Sequence, residues 1–179
     1  MTKAFKFALL SFVCSTFSFC TKDKINPNYS GKATATVNGV YWEAKVRAVF
    51  LPRYPGNVFM SFDAFDESDI LRQTLVLNNI SPLMDSTFLI ENPVHDSTNI
   101  ILNSNPSSSF YKSNDDLLLE VYNVLESHSR WIIIDRYNSA TNEISGRFEL
   151  SLVRDTSWSN SPPDTLTYVK GTFFGIVSN

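Results

Sequence analysis

Residues 33–50 read ATATVNGVYWEAKVRAVF, and their period decides the fold class. Val40, Trp42, Ala44, Val46, Ala48 and Phe50 alternate with Tyr41, Glu43, Lys45 and Arg47. A two-residue period turns one set of side chains toward a core and the other toward water, as in a half-buried strand. Thr34 to Val37 lead into Asn38-Gly39, a pair that supplies the positive φ angles of a tight type I′ turn. The stretch predicts a hairpin with Trp42 on its inward face.

Further strands are expected at short spacing. In 57–65, Val58, Met60, Phe62 and Ala64 share one side. Segments 72–80, 86–91, 99–103 and 108–112 are shorter and are separated by Pro, Asn, Asp and Ser. Segments 131–137 and 143–154 flank a turn at Asn138 to Asn142. In the second of them Ile144, Gly146, Phe148, Leu150 and Leu152 oppose Glu143, Ser145, Arg147 and Glu149. Residues 165–177 close the chain as a strand. Segment 115–127 fits two patterns: acids open it and Leu118, Val121, Tyr122 and Leu125 recur at helical spacing, whereas Val121, Tyr122 and Val124 suit a strand. We assign a strand, because its neighbours are all strands. About ten short strands with turn signals between them predict a single all-β domain, an antiparallel barrel or a barrel-like sandwich. Gly146, within an alternating strand, predicts a bulge or a close backbone approach, and Gly171 and Gly175 are read likewise.

The first 19 residues have the parts of an export signal. Lys3 and Lys6 are followed by an uncharged apolar run, Phe7 to Phe19, within the length of a signal core and short of a membrane span. We expect 1–19 to be a signal peptide, 20–31 a polar tether and 32–179 the folded domain. Cys20 ends the apolar run and opens the tether, which makes it the expected lipidation site; a cut that leaves a soluble periplasmic or secreted protein is the alternative. Cys14 and Cys20 are the only cysteines, so the domain after Cys20 has no disulfide, thiol nucleophile or thiolate metal site. Residues 20–179 are long enough to bury roughly 70% of the unfolded chain's surface in one core.

The formal net charge is −3, and two of the basic residues, Lys3 and Lys6, lie in the leader. No basic cluster occurs, which argues against a nucleic-acid partner. No nucleotide-binding glycine loop, zinc-ligand pair or nucleophile elbow is present, and no cofactor is expected. His95 and His128 fall in expected turns. The run DAFDESD offers Asp63, Asp66 and Asp69 as oxygen ligands for calcium, but its spacing is not that of an EF-hand, and a solvated hairpin turn is the plainer reading. Among the aromatics, Trp42 is expected in core or lumen. Trp158, in the polar loop SWSNSPPD, is the first candidate for contact with a ligand at a rim.

Three stretches, ATVNGVYWEA, RYNSATNEISGRFEL and DTLTYVKGTF, together resemble an uncharacterised secreted lipoprotein family of Bacteroidetes-type bacteria. Its features are an opening hairpin of the form NG-x-x-W/F, a late hairpin ending in I-S-G-x-F and a final strand with G-x-F. Cys20-Thr21-Lys22-Asp23 is likewise similar to the mature start of their surface-exported lipoproteins. The resemblance implies a lipid-anchored, lipocalin-like β domain of the cell envelope and carries over no catalytic residue. The expected function is a non-enzymatic binding or accessory module, held at the outer membrane or cell surface, for a small apolar or glycan ligand. A structural component of a surface assembly with an envelope protein partner is the alternative, and a hydrolase a distant third.

Overall fold

The computed structural model describes residues 28–94, 105–158 and 164–179. They form ten strands: β1 (Gly31–Val37), β2 (Val40–Phe50), β3 (Val58–Phe65), β4 (Leu71–Ile80), β5 (Thr87–Leu89), β6 (Ser107–Asn114), β7 (Leu117–Val124), β8 (Arg130–Asn138), β9 (Glu143–Arg154) and β10 (Thr165–Ser178). Eight of them close a ring in the order β1-β2-β3-β4-β6-β7-β9-β10, and β10 returns to β1. Neighbours along the ring run antiparallel. β8 continues the line of β7 along β9, from Arg130 opposite Leu150 to Asn138 opposite Glu143, and β5 pairs outside it. The chain is therefore an all-β single domain built on an antiparallel barrel.

Alternation chooses what fills the barrel. Val46, Met60, Phe62, Leu75, Leu77, Phe110, Tyr122, Phe148, Leu150, Leu152 and Tyr168 have no exposed surface, and Trp42 keeps only 7%. The rings pack on one another: Phe62 against Phe148 and Phe173, Phe148 against Tyr168, Tyr168 edge-on to Trp42, and Phe110 edge-on to Tyr122. Such pairs add about 0.5–1.5 kcal/mol each beyond the area they bury. The interior is a packed aromatic core.

Closure needs bends, and these fall where period two slips. Between Tyr168 and Gly171 the final strand carries one residue more than its partner β9, with Lys170 at φ 54°. Tyr168 and Phe173 can both face inward only because of this bulge. A Cβ on Gly171 would sit 2.6 Å from the Phe148 carbonyl oxygen, and one on Gly146 2.1 Å from that of Ile133. Each glycine marks a close backbone approach, as its place in an alternating strand predicts. At the first hairpin Asn38 and Gly39 take φ angles of 49° and 85°, the values that a type I′ turn demands.

Segment 115–127 contains strand β7, Leu117–Val124, and no helix. The strand expected over 99–103, His95, and the leader and tether up to Pro27 lie outside the described residues. One expectation is corrected. The run from Asp63 to Asp69 is not wholly a solvated turn, because Asp63 belongs to β3 and is 6% exposed. Tyr29 and Ser61 hydroxyls both donate to its carboxylate, at 2.9 and 2.7 Å, which makes that burial tolerable.

Candidate functional site

Four inward positions at one end of the barrel break with the aromatic core behind them. Two residues beyond Phe110 on β6 stands Lys112; two before Tyr122 on β7 stands Glu120; two beyond Leu152 on β9 stands Arg154. Asp164, just before β10, completes the group. Strand register brings them together: Lys112 lies opposite Glu120, and Arg154 opposite Tyr122. The β1–β2, β3–β4 and β6–β7 turns and the end of β9 border this mouth.

The charges alternate in a closed circuit. Lys112 Nζ lies 2.8 Å from Glu120 Oε2, and an Arg154 guanidinium nitrogen lies 3.0 Å from Glu120 Oε1 and 3.3 Å from Asp164 Oδ2. The Tyr122 hydroxyl, at the centre, is within 2.9 Å of both Glu120 Oε2 and Asp164 Oδ2. Lys112 also stands 5.0 Å from the centre of the Tyr122 ring, in cation–π range. Next along the same inner rim, Trp42 Nε1 donates to Gln73 Oε1 at 2.9 Å, and Gln73 is the register partner of Lys112.

Burial and hydrogen bonding compete at these groups. Burial pushes the Glu120 carboxyl up, but the hydrogen bonds from Lys112 and Tyr122, with the charges of Lys112 and Arg154, outweigh it and hold the pKa below the ordinary carboxylate range. Burial pulls Lys112 down, and its contacts with Glu120 and Tyr122 more than restore it, leaving the ammonium above its usual value. Burial raises the Tyr122 phenol. One layer further in, the buried Tyr168 hydroxyl has no hydrogen-bond partner among the described residues, and burial drives its pKa far up. The mouth thus keeps the Lys112 and Arg154 cations and the Glu120 carboxylate charged at neutral pH, beside the neutral Tyr122 phenol.

Its side chains still meet water. Relative exposure is 30% for Lys112, 27% for Glu120, 14% for Arg154 and 41% for Asp164. Around them the turn tips carry apolar residues in the open: Val40 and Tyr41 after the first turn, and Leu117, Leu118 and Leu119 in the β6–β7 hairpin, all more than half exposed. Chemically the mouth is a rigid, charge-neutral polar floor with donors and acceptors in alternation, framed by exposed apolar tips.

The sequence-derived candidates fall in several places. Trp42 belongs to this mouth as a buried wall rather than an open face, with its ring against Tyr168. Trp158 ends a short 3₁₀ turn, Thr156–Trp158, which begins two residues after Arg154. Asp63, Asp66 and Asp69 line one open groove of about 520 Å³, but each is held by a different partner. Asp63 faces Tyr29 and Ser61, Asp66 accepts the Ser68 and Ile70 amides and pairs with Arg72, and Asp69 pairs with Lys45. Among the described residues no group of three or more acidic, His or Cys side chains is arranged to hold a metal ion. His128 is exposed in the β7–β8 turn. Cys20 lies outside the described residues.

Lys112, Glu120, Arg154 and Asp164 were not legible as a site from local motifs, since they come from four separate segments. One signal was available: period two, carried past Phe110, Tyr122 and Leu152, places three charged residues on a face that is otherwise apolar. No protein-family model, curated protein or solved structure matches the chain.

Proposed function

We propose that this is a non-enzymatic cell-envelope module, lipid-anchored through Cys20, that binds a glycan at the barrel mouth. The observation that carries the reading is the alternating quartet Lys112, Glu120, Arg154 and Asp164 around Tyr122. A sugar hydroxyl both donates and accepts, so neighbouring hydroxyls of one ring match alternating carboxylates and cations. A simple anion would meet two carboxylates there, and an apolar ligand would strip water from four charges without replacing it. The packed interior supports the same choice, since the aromatic stack occupies the place where a lipocalin-like barrel would hold an apolar ligand. The exposed Leu117 to Leu119 supply surface for the less polar faces of a sugar.

Calorimetric titration of the protein with a panel of neutral oligosaccharides, beside a fatty acid and a simple organic anion, tests this. Saturable binding of at least one oligosaccharide, lost in Arg154→Met, is the expected result. Binding of the fatty acid alone would overturn the glycan reading. The anchor has its own test: Cys20→Ser should move the protein from the membrane to the soluble fraction.

A second reading, a structural component of a surface assembly, is favoured by one observation. Leu117 to Leu119 are three consecutive exposed leucines on a hairpin, more apolar surface than an isolated tip presents. A stable envelope complex lost in Leu118→Ser would support it.

A further inference from the structure

We infer that the outer wall of the barrel carries a second binding site, a groove between β8 and β10 that takes a free α-amino acid with an apolar side chain. It is independent of the mouth and lies at the far end of β9, which begins with Glu143 in the groove and ends with Arg154 at the mouth.

Strand register builds the groove. Phe174 on β10, Ser145 on β9 and Arg136 on β8 are partners in one row, and beside them Ile176 lies opposite Glu143. These side chains point out of the barrel, because Ile144, Phe173 and Val177 between them point in. Phe174 and Arg136 stand two strand spacings apart, roughly 10 Å, with only a serine between them. The result is a slot of about 280 Å³, lined among others by Ser30, Arg136, Glu143, Ser145, Phe174 and Ile176. That size lies near the lower end for small-molecule sites, about 300 Å³, and suits a single amino acid. Its β10 wall is fixed in place. The Ser30 hydroxyl donates to the Ile176 carbonyl at 2.7 Å and accepts the Ile176 amide at 3.0 Å.

Charge names the ligand. Arg136 and Glu143 are both exposed, and neither side chain has a hydrogen-bond or ion-pair partner among the described residues. They sit diagonally across the β8–β9 pair, with Cβ atoms about 7–8 Å apart. The charges on either side are paired: Arg147 with Asp135, and Lys32 with Glu43. The groove thus holds a guanidinium and a carboxylate that its neighbours leave open. A simple anion would meet Glu143 there, and a simple cation would meet Arg136. An uncharged apolar ligand would desolvate both without replacing their water. An α-amino acid carries both charges on one carbon. Its carboxylate accepts from the Arg136 guanidinium while its ammonium donates to Glu143. Its side chain then covers Phe174 and Ile176, which are 57% and 48% exposed.

A backbone-amide NMR titration of the full chain tests this. L-leucine is the ligand; isocaproate, isoamylamine and glycine each remove one of its three features, and phosphoethanolamine offers both charges in a headgroup-like form. Saturable shifts of the Ser145, Phe174 and Ile176 amides with L-leucine are expected, with responses several-fold weaker or absent for the other four. Arg136→Gln and Glu143→Gln should each weaken L-leucine several-fold. Ser145→Leu fills the slot while keeping both charges, and should abolish binding; unchanged amide shifts elsewhere report that each variant is folded. No saturable response to L-leucine, equal binding of isocaproate, or tighter binding of phosphoethanolamine would overturn the inference. Groove shifts that follow protein concentration instead of ligand would also overturn it, since a second copy of the chain would then cover the slot.

Discussion

The core and the mouth of this barrel occupy the same inward face of the same strands, one step of two residues apart. On β6 the step runs from Phe110 to Lys112, on β7 from Tyr122 to Glu120, and on β9 from Leu152 to Arg154. Behind the step, rings interlock without exposed surface; ahead of it, charges pair while in contact with water. Tyr122 belongs to both, with its ring against Phe110 and its hydroxyl on Glu120 and Asp164. A barrel too small to hold a ligand inside can still present one well-ordered polar floor, because the core holds each charged residue's strand in place. Stability and recognition should therefore separate by position along one face.

The largest effects should come from the core. Phe148→Ala or Trp42→Ala should cost about 3–5 kcal/mol in denaturant unfolding, through lost burial and a residual cavity. Gly171→Ala should cost about 1–3 kcal/mol, since its methyl meets the Phe148 backbone. A neutral Gly171→Ala would mean that the two strands do not approach there as described.

Changes at the mouth should act on binding before stability. Arg154→Met or Glu120→Gln should weaken oligosaccharide binding by about tenfold or more, the worth of a charged hydrogen bond, with a smaller shift in unfolding midpoint than Phe148→Ala gives. A midpoint loss as large as that of Phe148→Ala would assign the quartet to the core instead.

The quartet also defines a pH window. The folded-state pKa of Glu120 lies below its unfolded value of about 4.3, so its stabilising share is complete above that pH and is lost as pH falls through the lower folded value. That of Lys112 lies above about 10.4, so its share is complete below that pH and is lost as pH rises through the folded value. Thermal midpoints measured below pH 4.3 should fall less steeply for Glu120→Gln than for the parent chain. The smallest effects belong to the outer wall, where Glu43→Gln and Arg147→Gln should leave the midpoint unchanged, in contrast to their inward neighbours Trp42 and Phe148.

Much of the fold was legible because period two is a backbone property. Val40 to Phe50 and Glu143 to Arg154 announced both faces of their strands, and Asn38-Gly39 announced its turn. Gly171 marks the place of a bulge or close approach in the final strand, but not its consequence: Tyr168 and Phe173 differ in parity, and the extra residue at Lys170 lets both face inward. Asp63 looked like part of a solvated acidic run because its partners, Tyr29 and Ser61, reach it only through the folded wall. The mouth was hidden for the same reason. Each of its charges is an ordinary polar residue near a strand end, and only the closing of the ring makes them neighbours.

The most direct test of a ligand site at the mouth and not in the interior is a methyl NMR titration with an oligosaccharide that binds. Met60, fully buried in the core, and the rim leucines Leu117 to Leu119 report on the two regions. Saturable shifts confined to the rim leucines, with the Met60 methyl unmoved and the rim response abolished in Arg154→Met, are the predicted result. A Met60 methyl that shifts in step with the titration while the rim stays still would place the ligand inside the barrel and contradict the account.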